Sequence, residues 1–150
     1  MPRLVFGLAV VLSLAACDTD GAGLLDPQEV NVSALSQDPA RLVGAWELAT
    51  VTPSGECIGE DCTRTRSAAA VGRSERLVFE ADGMAEVICD GAPARRVAYR
   101  VEPVEYGDGT QSEIPYLFVD SRAELFGVTG DQLFLDNRPV DGELREYRRR

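Results

Sequence analysis

From residue 45 to the end of the chain, apolar and polar positions alternate with a period of two, the pattern of strands that bury one face. Eight strand candidates lie there, several of them with this patterning: 45–51, 75–80, 84–89, 94–101, 114–119 (apolar throughout), 123–128 (mixed), 131–135 and 143–148. In the first, Trp46 and Leu48 share a face. In the second, Leu77 and Phe79 point inward against Arg76 and Glu80. Ala85, Val87 and Cys89 form the inward set of the third, and Val97, Tyr99 and Val101 that of the fourth. Leu133 and Leu135 face inward in the seventh, and the last closes around Tyr147 or Leu144. Asp82-Gly83, Asp90-Gly91 and Gly130-Asp131 supply turn residues that tolerate positive φ. Short connections join antiparallel neighbours, so an up-and-down meander is expected. Eight such strands can close on themselves and lose both edges, leaving an interior that is packed or just wide enough for one small ligand. A two-sheet sandwich has the same periodicity. Three connections read as long: 52–74, 102–113 and 137–142.

The N-terminal residues follow a different pattern. Arg3 precedes an uncharged run, Leu4 to Ala16, shorter than the about 20 residues that span a bilayer as a helix. It reads as the hydrophobic region of a signal peptide over 1–16. Leu14-Ala15-Ala16-Cys17 resembles the lipobox of bacterial lipoproteins. That resemblance implies cleavage before Cys17, lipid on its thiol, and attachment to the cell envelope with the leaflet, inner or outer, left open. Two or more acyl chains anchor stably where one does not. Residues 17–37 are polar and small and read as a tether, with Val30, Val32 and Leu35 able to pack near its end. The folded domain is expected over 38–150, opening with Asp38 as an N-cap, Pro39 at the first helical position and Gly44 as the stop of one short turn.

Composition narrows the chemistry. Formal net charge is −10, with 25 acidic residues, no histidine and, among the 15 basic residues, no lysine. Nucleic acid is therefore an unsuitable partner. Without histidine, Ser-His-Asp and Cys-His sites and His-containing zinc sites cannot be built, and without lysine neither can Schiff-base chemistry. No motif selects a carboxylate pair for glycosidase-type catalysis. The reading is a non-enzymatic protein with no cofactor and no metal site.

Once Cys17 is lipidated, three cysteines remain. Export to an oxidising compartment favours a local Cys57–Cys62 disulfide, with Cys89 left as a buried thiol; pairing of Cys89 with Cys57 or Cys62 is the alternative.

Leu42-Val43-Gly44-Ala45-Trp46-Glu47-Leu48, Leu77-Val78-Phe79-Glu80-Ala81-Asp82-Gly83, Tyr99-Arg100-Val101 and Asp131-Gln132-Leu133-Phe134-Leu135, with the late Tyr147, resemble the bacterial lipocalin-like domain. The resemblance covers roughly residues 38–150. It implies an eight-stranded antiparallel barrel with a short helical turn at one end and a structural tryptophan on the barrel floor. Lipocalins also carry an arginine packed on that tryptophan, a part several arginines here can fill, and a Thr-Asp-Tyr segment with no counterpart here. Trp46, Leu48, Leu77, Phe79, Val97, Tyr99, Leu133, Leu135 and Tyr147 are the expected lining or core, with Phe118 and Phe126 as further aromatics. Two functions follow. One is a binder of a small apolar or amphipathic ligand in the barrel mouth. The other is a packed-barrel envelope protein, an assembly factor or inhibitor, that contacts another protein through the Cys57–Cys62 loop.

Overall fold

The computed structural model describes residues 30–53, 64–140 and 142–150. Nine strands lie among them: β1 (Gly44–Pro53), β2 (Arg66–Ser67), β3 (Glu75–Phe79), β4 (Met84–Cys89), β5 (Arg95–Glu105), β6 (Gln111–Val119), β7 (Arg122–Thr129), β8 (Gln132–Asp136) and β9 (Glu143–Arg149). From β3 onward each pairs antiparallel with the next, β1 pairs with β3, and β1 also pairs with β9 from Trp46↔Arg149 to Pro53↔Glu143. Eight strands thereby close into an antiparallel barrel. The two-residue β2 continues the edge of β1 where β3 has ended. Closure removes the free edges of the barrel, and unpaired ladder remains only where the β5–β6 hairpin runs on past β4 and β7.

Alternation places the core. Trp46, Leu48, Leu77, Phe79, Phe126, Leu133, Leu135 and Tyr147 are buried in one interior cluster, with Val97, Tyr99 and Val101 half-buried against it. A register shift between Leu48 and Thr50 adds one residue to β1, so the inward parity moves from Trp46 and Leu48 to Val51. Phe118 does not line the barrel. It faces outward, where the Arg100 guanidinium sits 4.2 Å from its ring centre.

Two boundaries differ from those read in the sequence. The segment 102–113 is mostly strand, closed by a tight turn in which the Tyr106 N–H bonds to the Thr110 carbonyl. Pro103 and Pro115 stand opposite each other where β4 no longer pairs with β5 and β7 does not yet pair with β6. A proline costs a ladder bond only on a paired side. The folded part also begins by Val30 rather than at Asp38. Val30 and Val32 are buried against Phe134 and Leu144, with Leu35 and Leu125 beside them, on the outer wall of the barrel. This strap runs antiparallel to β7, with Ser36 bridged to Val128. Consequently β8 is buried on both faces.

The strap depends on one glycine. A Cβ at Gly127 would stand 2.6 Å from the Leu35 Cβ and 2.8 Å from the Val32 carbonyl oxygen. Gly127→Ala is expected to lift the strap and cost about 1–3 kcal/mol. Thermal unfolding together with amide exchange at residues 32–36 checks this. Unchanged protection of those amides would show that the strap does not rest on Gly127.

One end of the barrel is plugged. The Asp38 carboxylate accepts from the Ala40 N–H at 3.0 Å, capping a 3₁₀ turn over Pro39–Arg41. The turn delivers a fully buried Leu42 to the floor, and the Trp46 indole N–H donates to the Leu42 carbonyl at 2.7 Å. Arg149 lies 4.2 Å from the Trp46 ring centre and donates to the carbonyls of Val43 at 2.9 Å and Arg41 at 2.8 Å. Gly44, at φ +133°, makes room for it, since a Cβ there would meet the Arg149 guanidinium at 2.6 Å.

Candidate functional site

Among the described residues the opposite end is open. It is formed by the end of β1, the starts of β3, β5, β7 and β9, and the end of β4, where every second connection of the meander falls. A cavity of about 610 Å³ lies there, and a narrower one of about 300 Å³ adjoins it. Glu75, Val87, Arg95, Arg122, Glu124 and Arg145 line both, so they are two lobes of one mouth. The narrower lobe reaches down to Leu77 and Leu135. Below these, Trp46, Phe79, Phe126 and Tyr147 fill the interior.

A charged layer separates the mouth from this packed floor. Arg145, Glu75 and Glu124 occupy inward positions of β9, β3 and β7 in register with Tyr147, Leu77 and Phe126, and all three are buried. Arg145 donates to Glu75 at 3.1 Å with one nitrogen and to Glu124 with the other. The Tyr147 hydroxyl donates to the same Glu75 oxygen at 2.9 Å. At the rim, Arg73 pairs with Glu143 at 2.5 Å. Among the described residues no buried side-chain nitrogen or oxygen lacks a partner, so the layer is fully satisfied.

Burial alone would lower the affinity of Arg145 for its proton. The negative potential from Tyr147, Glu124, Glu75 and Glu143 outweighs it and raises the pKa further. For Tyr147 burial is the main cause of a strongly raised pKa, opposed by Arg145 and reinforced by Glu75. An unfolded phenol titrates near ~10. The folded phenol holds its proton to higher pH, so this contribution to stability is complete below ~10 and is lost as pH rises through the folded value. Wild-type stability is therefore expected to fall more steeply above pH ~10 than that of Tyr147→Phe. Denaturant titrations of both proteins across the alkaline range read the slopes directly. Equal slopes would mean that Tyr147 is hydrated in the folded state.

Cys89 is a free thiol, half-buried on the wider lobe. Burial pushes its pKa up, with Glu75 and Asp90 adding to the effect. Cys17, Cys57 and Cys62 lie outside the described residues.

All nine residues anticipated as lining or core meet in the interior cluster, but only Leu77 and Leu135 also border the mouth. Val87 and Cys89, read as inward residues of the third strand, line it too, whereas its charged residues were not singled out by sequence. A signal for them exists: Glu75 shares parity with Leu77 and Phe79, Glu124 with Phe126 and Val128, and Arg145 with Tyr147. A charged residue at an inward position of three strands marks a polar layer inside the barrel.

No family model matches the chain, and no curated protein or solved structure matches it.

Proposed function

We propose that this protein is an envelope-anchored lipoprotein, held through lipid on Cys17, whose lipocalin-like barrel binds a small amphipathic molecule at its open end without transforming it. The observation that carries the reading is the mouth: a polar lobe of about 610 Å³ joined to a narrower lobe of about 300 Å³ with an apolar wall, opposite a plugged floor. Pockets of this size with a few polar groups over an apolar lining are the usual form of small-molecule sites. The two carboxylates deepest in the mouth are committed to Arg145, which suits fixed recognition rather than proton transfer. A purely apolar guest fits less well, because it would take the polar groups at the rim out of water and give them nothing in return.

Mass spectrometry of the protein recovered from the envelope tests both halves. The denatured chain is expected to begin at an acylated Cys17, and the native protein is expected to carry a guest mass that denaturation releases. A chain retaining residues 1–16 would sink the anchor. A bare native mass that no amphipathic probe increases would sink the binding site and turn attention to a protein partner.

A further inference from the structure

Four arginines border the mouth, and they differ in what they hold. Arg145 is bound by Glu75 and Glu124, and Arg73 by Glu143. Arg95 and Arg122, the first residues of β5 and β7, are exposed, and among the described residues neither guanidinium has an ion pair or a hydrogen bond. Both border the narrower lobe, whose wall is Leu77, Val87, Val119 and Leu135. The lobe thus joins an apolar wall to two sets of uncommitted guanidinium donors at its entrance.

We infer that the guest is an amphipath with an anionic head, a carboxylate or phosphate held by Arg95 and Arg122, with its chain laid against that wall. The inference rests on the proposed binding function and names its ligand class. Formal charges around the lobe balance, with Glu75, Asp120 and Glu124 facing Arg95, Arg122 and Arg145. Availability decides the matter instead. Glu75 and Glu124 already accept from Arg145, and Glu75 also from Tyr147. A cationic head seeking them would have to compete with a buried guanidinium and leave it uncompensated. Asp120 at the rim offers a cation a single exposed carboxylate. A neutral head gains little from either arginine. An oxyanion takes the planar donor forks of Arg95 and Arg122 directly, with charge-assisted hydrogen bonds and no existing pair to break.

Calorimetric titration of the purified full-length protein with four probes tests this: octanoate, octanol, octylammonium and acetate. Octanoate is expected to bind at least tenfold tighter than octanol, and octylammonium and acetate to show no saturable binding. In Arg95→Gln/Arg122→Gln, octanoate should lose its advantage over octanol in that same variant, while circular dichroism and the melting temperature match the wild type and show that the fold is retained. Equal affinities of octanoate and octanol in the wild type would overturn the anionic head and leave the binding function standing. So would a preference for octanoate that survives the double substitution, or tighter binding of octylammonium. Acetate binding as tightly as octanoate would overturn the role of the chain. If no probe with an octyl chain binds, the proposed binding function itself fails.

Discussion

Arg145→Met is expected to lower the unfolding free energy by about 3–5 kcal/mol, the usual consequence of removing one partner from a buried ionic group. Among the described residues Arg145 is the one basic side chain that joins Glu75 to Glu124 in the charged layer, and its side chain is 8% exposed. Methionine fills most of its volume but leaves two buried carboxylates close together without a counter-charge between them. Glu75 keeps the Tyr147 hydroxyl and a longer 3.5 Å contact with Arg73, whereas Glu124 loses its ion-pair partner. The triple variant Glu75→Leu/Glu124→Leu/Arg145→Met should recover most of the loss, because a well-packed apolar layer costs no desolvation of charge. Urea unfolding of the single and triple variants measures both. A loss under about 1 kcal/mol for Arg145→Met would show that water entering through the mouth already solvates the layer.

Trp46→Ala is the second large effect, again about 3–5 kcal/mol. The indole is fully buried at the plugged end, and its removal acts on three neighbours together. It opens a cavity beside Leu42, frees the Leu42 carbonyl from its 2.7 Å hydrogen bond, and takes the aromatic face from Arg149. Trp46→Phe keeps most of the packing and loses the hydrogen bond, so it should cost a minor part of that sum. Because this is the sole tryptophan, unfolding must be followed by circular dichroism rather than indole fluorescence. If Trp46→Ala proves as mild as Trp46→Phe, the floor collapses around the gap and the 3₁₀ turn, not the ring, closes the barrel.

What the sequence disclosed and what it withheld divide along a physical line. Strand parity is local, so Trp46, Leu77, Phe79, Leu133 and Tyr147 were legible as inward residues without knowledge of any partner. Which residues meet across the barrel depends on register, and register is not local. Arg149 reaches Trp46 because β1 and β9 pair them directly, a fact no spacing in the chain expresses. Arg145, Glu75 and Glu124 likewise sit far apart in sequence and close only when the barrel does. The strap was legible only in part. Val30, Val32 and Leu35 were read as able to pack, but without a strand or helix period they do not say on what; their partners Leu125, Phe134 and Leu144 lie on the outer wall, which only the closed barrel defines.

The strap also sets how the barrel meets a load. Val30 lies at the open rim, where its carbonyl accepts from Arg138, and Ser36 lies toward the plugged end beside Val128. A pull applied ahead of Val30 would fall first on the strap, which is held by a few side-chain contacts and one bridge rather than by a full ladder. The strap gives up roughly 3.3–3.6 Å of slack for each residue released. Only then does the pull reach β1, which β3 and β9 clamp from both sides. Under the anchoring proposed at Cys17, this strap would be a yielding link in the outer wall, taking up a tug before it strained the mouth.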